Sequence, residues 1–227
     1  GGENLSFKLN GAYEWEVGNK QGNSKSGLIN SYELGVNVGL SVPRLLVPNF
    51  LKSTKDFPER THFQIGVDFL NRHTFFRMIS FTGSFSYDFQ SSYRKYHTIT
   101  PLKLSYTHLL RTSKEFDETM DNNPAIAMSF KNQFIPSMAY TYTYDRQGTS
   151  RNPNRLYWQN MIMSAGNLLS AIQYLSGNHK GEGKTIFGNT YSQFLKGTSE
   201  IIVYRKLTEN SLIATRFMGG LGYAYGN

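Results

Sequence analysis

The sequence predicts an all-β fold: an antiparallel transmembrane β-barrel, of which this chain supplies about nine strands of a larger whole. Three observations carry that expectation. Long stretches alternate apolar and polar residues with a period of two, which gives a strand one greasy face and one wet face. Aromatic residues reach 15%, with 16 Phe and 15 Tyr, and 21 Gly stand beside many Ser, Thr and Asn, while only 18% of residues are charged. The mean hydropathy of -0.45 is still hydrophilic, as in a barrel that exposes an apolar band and keeps its other face polar. Finally, no window reads as a spanning helix. The nearest, Leu156 to Leu175, is free of charge over the length that crosses a bilayer, but it is rich in Gln, Asn and Ser.

The clearest alternation runs from Thr61 to Phe89. Phe63, Ile65, Val67 and Phe69 lie opposite His62, Gln64, Gly66 and Asp68. After a polar break at Asn71 to Thr74, Ile79, Phe81, Phe85, Tyr87 and Phe89 lie opposite Ser80, Thr82, Ser84, Ser86 and Asp88. Two long strands joined as a hairpin follow.

Taken in order, Asn4 to Val17 is the first strand, with Leu5, Phe7, Leu9, Tyr13 and Trp15 on one side. A Gly, Asn, Ser and Lys loop (Gly18 to Gly27) leads to a second, which alternates from Tyr32 to Val42. Pro43 and Pro48 end it, since neither can donate to a ladder, and Pro43 to Arg60 reads as a short plug or lip. Beyond the hairpin, Tyr96 to Leu110 is a fifth strand. Glu115, Phe116, Met120 and the Asp117, Glu118, Asp121 cluster predict one or two helical turns before Pro124. Phe134 to Asp145 is again a strand, with Tyr140, Tyr142 and Tyr144 in a row like the aromatic girdle of a barrel. Arg155 to Ala171 is the seventh strand and Gln173 to Asn189 a polar loop; Phe194 to Lys206 and Leu212 to Ala224 close the series. No βαβ spacing occurs, so the chain reads as one partial barrel domain over residues 1–227.

Alternation alone leaves two insides open, because a soluble sandwich turns its greasy face inward and an outer-membrane barrel turns it outward. The long strands, the tyrosine row and the open ends of the series favour the barrel. The lipid-facing set is then Phe63, Ile65, Val67, Phe69, Ile79, Phe81, Phe85, Tyr140 and Tyr142, and the lumen-facing set is Gln64, Asp68, Ser84, Thr141 and Arg216.

Signatures of chemistry are missing. Without cysteine there are no disulfides, thiolate metal sites or thiol nucleophiles. His62, His73, His97, His108 and His179 have no metal-ligand spacing and read as solvent or lumen residues. The acidic cluster lacks the glycine and terminal glutamate of a calcium loop and reads as a capped, solvated helix end. Gly181 to Thr185 echoes a phosphate loop with the wrong glycine spacing and no preceding buried strand. The net charge of +8 is scattered in ones and twos, as at Lys20, Lys25, Lys52, Lys55, Arg94 and Lys95, without the basic run of a nucleic-acid site. Catalytic residues, cofactors, metals and nucleic-acid partners are therefore not expected.

Four segments together resemble the barrel of the BamA/TamA family, in its Bacteroidetes-type form. They are Gly1-Gly2-Glu3 leading into the first strand, Tyr32 to Gly35 running on to Val42-Pro43-Arg44-Leu45-Leu46-Val47-Pro48, Phe130-Lys131-Asn132-Gln133 before the Tyr-rich strand, and Gly219 to Asn227. The resemblance implies that the chain is an internal piece, roughly the third to the eleventh strand of a sixteen-stranded barrel in the bacterial outer membrane. POTRA repeats would lie upstream. The family's Arg-Gly-aromatic motif would follow Asn227, so no position here carries it. By the same resemblance the partners would be outer-membrane lipids, unfolded outer-membrane proteins as clients, and accessory lipoproteins. A porin-like transport barrel is the first alternative, and a soluble β-sandwich or lipocalin-like binding module the second.

Overall fold

The computed structural model of the chain describes residues 2–15, 31–47, 57–72, 75–130, 132–149, 152–167, 185–186, 189–190 and 193–225. They form one nine-stranded antiparallel sheet in which each strand pairs with the strands before and after it. Its strands are β1 (Asn4–Glu14), β2 (Ser31–Val42), β3 (Glu59–Arg72), β4 (Phe76–Ser92), β5 (Lys95–Thr112), β6 (Gln133–Arg146), β7 (Arg155–Ala165), β10 (Phe194–Thr208) and β11 (Ser211–Ala224). Two helices, α1 (Lys114–Asn122) and α2 (Pro124–Phe130), connect β5 to β6. A two-stranded pairing of β8 (Thr185–Ile186) with β9 (Asn189–Thr190) lies between β7 and β10. The sheet is open: β1 and β11 each have a ladder on one side only.

We call the end where β1 begins the near end and the end where it finishes the far end. Two near-end connections are tight two-residue turns, Tyr93–Arg94 and Glu209–Asn210. Both the helical connection and the one containing β8 and β9 lie at the far end.

Period-two patterning sets the register. Leu5, Leu40, Phe63, Phe85 and Leu102 fall in one cross-strand row, and Leu9, Val36, Val67, Phe81 and Tyr106 in another. Between them runs a polar row, Lys8, Asn37, Gly66, Thr82 and Ser105. A slip of one residue would send every side chain to the wrong face, so the alternation itself selects this pairing.

Pro101 interrupts the alternation. It cannot donate to the ladder, and the β4–β5 and β5–β6 registers both shift around it, between Phe85 and Tyr87 on one side and between Thr100 and Lys103 on the other. The extra residue resets the phase of β5. Leu102, Leu104 and Tyr106 share the apolar face with His97 and Ile99 rather than with Tyr96 and Thr98.

Two expectations change at the ends of elements. β7 stops at Ala165 instead of continuing to Ala171. Gly166 there takes a positive φ of 74°, open to glycine at no steric cost, and its amide donates to Pro136 O at 2.8 Å. The helical turns expected before Pro124 are α1, and Pro124 itself opens a second helix, α2, because the first position of a helix needs no N–H. Asn71 and Arg72, expected in the break, are the last residues of β3. The acidic segment keeps its expected character: Ser113 caps α1 by accepting from Phe116 N at 3.2 Å, Phe116 is buried, and Glu115, Asp117, Glu118 and Asp121 are exposed. The loop at Gly18 to Gly27, residues 48–56 of the Pro43 to Arg60 lip, His73, His179 and the glycine-rich run at 181–184 lie outside the described residues.

The described residues have almost no core. Their buried apolar side chains are Val42, Phe76, Phe116, Pro136 and Ala165, while Leu5, Phe7, Leu9, Ile65, Ile162, Phe217 and Leu221 are more than half exposed. Among the described residues, no second layer covers the apolar face.

Candidate functional surface

The candidate functional feature is the sheet's pair of faces. The registers place Phe63, Ile65, Val67, Phe69, Ile79, Phe81, Phe85, Tyr140 and Tyr142 together on the apolar face. Gln64, Asp68, Ser84, Thr141 and Arg216 lie on the opposite face.

Room for side chains differs between the faces. A Cβ added at Gly35 would collide with Asp68 Oδ1, one at Gly66 with Asn37 Oδ1 and, at 2.7 Å, Thr82 Oγ1, and one at Gly39 would lie 2.7 Å from Ser6 Oγ. All three glycines are on the polar face. Gly83, Gly197 and Gly219 are on the apolar face, and a Cβ at any of them would meet nothing within 4 Å. On β2 and β3 the polar side is crowded and on β4 the apolar side is open, whereas Gly222, on the polar face of edge strand β11, is as open as the apolar-face glycines. Along β2 the same inversion shows in exposure: Leu34, Val36, Val38 and Leu40 are exposed, while Gly35 is buried and Asn37, Gly39 and Ser41 are partly covered.

Aromatic groups gather towards both ends of the apolar face. Near-end Phe89 stacks on His97 at 4.9 Å, His97 lies 5.4 Å from Tyr142, and Tyr142 meets Trp158 edge-on at 6.3 Å. Polar tips are paired within this group. His97 Nδ1 and Nε2 hydrogen-bond Tyr140 OH and Ser91 Oγ, each at 2.8 Å, and Trp158 Nε1 donates to Ser199 Oγ at 3.1 Å. At the far end the pairs are Tyr13–Trp15, Tyr32–Phe69 and Tyr223–Tyr225.

Two histidines read as solvent or lumen residues lie on the apolar face, both partly exposed. His97 belongs to the aromatic cluster because the bulge at Pro101 reverses its phase, and His108 shares the apolar column of Ile79 and stacks on Tyr106. The proline inside a strand was the sequence signal for the first of these. His62 keeps its polar-face placement, with Nε2 3.0 Å from Asp88 Oδ2.

The polar face carries charge in matched pairs. Arg155 donates to Asp145 through Nε at 2.9 Å and Nη2 at 2.7 Å, and its guanidinium lies 5.6 Å from the centre of the Tyr204 ring. Arg216 pairs with Glu200 across the β10–β11 ladder. Neutral groups fill the spaces between, as in the Ser80–Thr107 contact at 3.3 Å and the bond from Gln159 Nε2 to Thr143 Oγ1 at 3.3 Å. Among the described residues, no three His, Asp or Glu side chains gather as a metal site, and no helix is long and apolar enough to cross a membrane.

Compared with protein-family models, with curated proteins and with solved structures, the chain finds no match.

Proposed function

We propose that this chain is a wall section of a transmembrane β-barrel in the bacterial outer membrane, and that the barrel assembles or inserts other outer-membrane proteins. The single observation that supports the membrane wall is the inversion of the sheet: its apolar face is the exposed, open one, and its polar face is the crowded one along β2 and β3. A lipocalin-like module needs the opposite, with the apolar face covered. Strands of 11 to 18 residues reach or exceed the roughly 9–11 that cross a hydrocarbon layer at a tilt. Aromatic clusters at both ends of the apolar face suit the two headgroup layers. The two tight near-end turns and the helical far-end connection suit a periplasmic near end and an outer-facing far end.

The assembly role rests on the sequence resemblance to the BamA/TamA family. In that mechanism an exposed strand edge templates an incoming strand, with no cofactor and no catalytic residue. The section described here supplies wall, with lipids on one side and water on the other. A porin-like barrel is the competing reading, favoured by the paired charges on the polar face.

Depleting the full-length protein and following the folding of other outer-membrane barrels separates the two. Accumulation of unfolded clients is the expected result. Normal client folding, together with steady single-channel conductance of the purified protein in planar bilayers, would replace the assembly reading with the transport one. Folding of the protein in water without detergent, with Ile65 and Phe81 protected from solvent, would remove the membrane wall altogether.

A further inference from the structure

We propose that the far-end rim of β3, β4 and β5 holds a binding site for a phosphate group, built from Arg72, Arg77 and Arg111. The three arginines line one cavity of about 260 Å³ together with Phe75, Phe76, Thr112 and Ser113. Arg77 and Arg111 are direct cross-strand partners, an arrangement that is unfavourable for like charges unless an anion lies between them. The ion pairs among the described residues are His62–Asp88, Arg155–Asp145 and Arg216–Glu200, and none involves these arginines. Among the described residues no carboxylate lines the cavity, and the acidic side chains of α1 are exposed.

The site is braced from behind. Asn71, only 4% exposed, accepts from Arg77 Nε at 3.0 Å through Oδ1, which orients the guanidinium and leaves both Nη groups to donate. Backbone bonds tie its floor together: Phe75 N donates to Arg72 O and Ser113 N to Phe75 O, both at 2.9 Å. Buried Phe76 packs against Phe116 and Phe130, with ring centres 5.2 and 4.7 Å apart, and so fastens the helical connection beside the cavity. The hydroxyl of Ser113 accepts from Phe116 N and keeps its own proton free to donate. Planar guanidinium forks suit the oxygens of a phosphate ester better than a point charge does.

The position suggests the source. Arg77 follows Ile79 in the apolar column of β4 and Asn71 follows Phe69 in that of β3, one step past the end of the apolar band. On the membrane reading, on which this source rests, that step is the depth of lipid headgroups, and the bound group is a headgroup phosphate.

The test uses the full-length protein in phosphate-free nonionic micelles, titrated with inorganic phosphate, with dihexanoyl phosphatidic acid and with dihexanoyl glycerol, and followed by calorimetry. The phosphatidic acid is expected to bind, the neutral diacylglycerol not, and Arg77→Gln with Arg111→Gln to weaken binding about tenfold or more. Arg77→Lys with Arg111→Lys, which keeps the charge, should recover part of it, and Lys8→Gln elsewhere on the sheet should change nothing. Retention of heat-resistant migration on gels shows that each variant is folded. Equal binding by wild type and the folded double glutamine variant, or equal binding of the neutral lipid, overturns the site. Inorganic phosphate binding as tightly as the lipid supports the site and overturns its headgroup source. Failure of the membrane reading would show separately, as a protein that folds in water before any ligand is added.

Discussion

The two faces of the sheet are built from the same nine strands, yet along β2 to β4 glycine means opposite things on them. On the polar face Gly35, Gly39 and Gly66 sit under neighbouring side chains, where an added methyl group has no space. On the apolar face Gly83 leaves an open recess lined by Phe63, Ile65, Phe85, Leu102 and Leu104. The first set allows the sheet to close up on its wet side, and the second merely lightens its greasy side. The contrast supports the proposed reading, in which the polar face is the inside and the usual rule for soluble proteins is reversed.

The contrast can be broken most sharply by a charge. Ile65→Arg places a cation in the middle of the apolar face and is expected to cost about 2–4 kcal/mol in a bilayer, whereas Gln64→Arg, one residue away on the polar face, should cost well under half of that. Urea midpoints of the full-length protein refolded in vesicles measure both, and equal costs would reverse the assignment of faces. Next in size is overpacking. Gly66→Val forces branched bulk against Asn37 and Thr82 and is expected to cost about 1–3 kcal/mol, while Gly83→Val should be close to neutral by the same measurement.

Smaller effects sharpen the comparison. Asp145→Asn removes the acceptor charge from a fork whose Arg155 side chain is 39% exposed and whose Asp145 side chain is 13% exposed. Solvent screening discounts the loss to about 1 kcal/mol, falling as salt is raised. Smallest is Tyr140→Phe, which deletes the hydroxyl bonded to His97 and should cost about 0.5–1.5 kcal/mol. Its check is a double-mutant cycle with His97→Phe, in which a coupling near zero would show that the two side chains do not act together.

Much of this was legible before any coordinates. Leu34 to Leu40, Phe63 to Phe69 and Phe81 to Phe89 announce their faces by alternation, and the lack of βαβ spacing leaves an antiparallel meander as the simplest pairing. Other features were hidden for identifiable reasons. Pro101 marked a defect in β5, but a single sequence does not say on which side of the proline the phase changes, so His97 was placed on the wrong face. Pro124 was compatible with the end of one helix or the start of the next, and the choice followed from a neighbouring Asn123 whose Oδ1 accepts from Ile126 N at 3.4 Å. The arginine cavity joins residues from three strands that are scattered along the sequence, and only Arg72 and Arg77 are near one another in the chain.

By itself the sequence determined that this protein is a run of antiparallel strands with one apolar and one polar face, because side chains on an extended chain must alternate. It did not determine which face is crowded and which is open. Only the tertiary structure decided that along β2 to β4, since crowding depends on which side chains neighbouring strands bring together: Gly35, Gly39 and Gly66 meet polar side chains across the ladders on one side, and Gly83 meets nothing on the other.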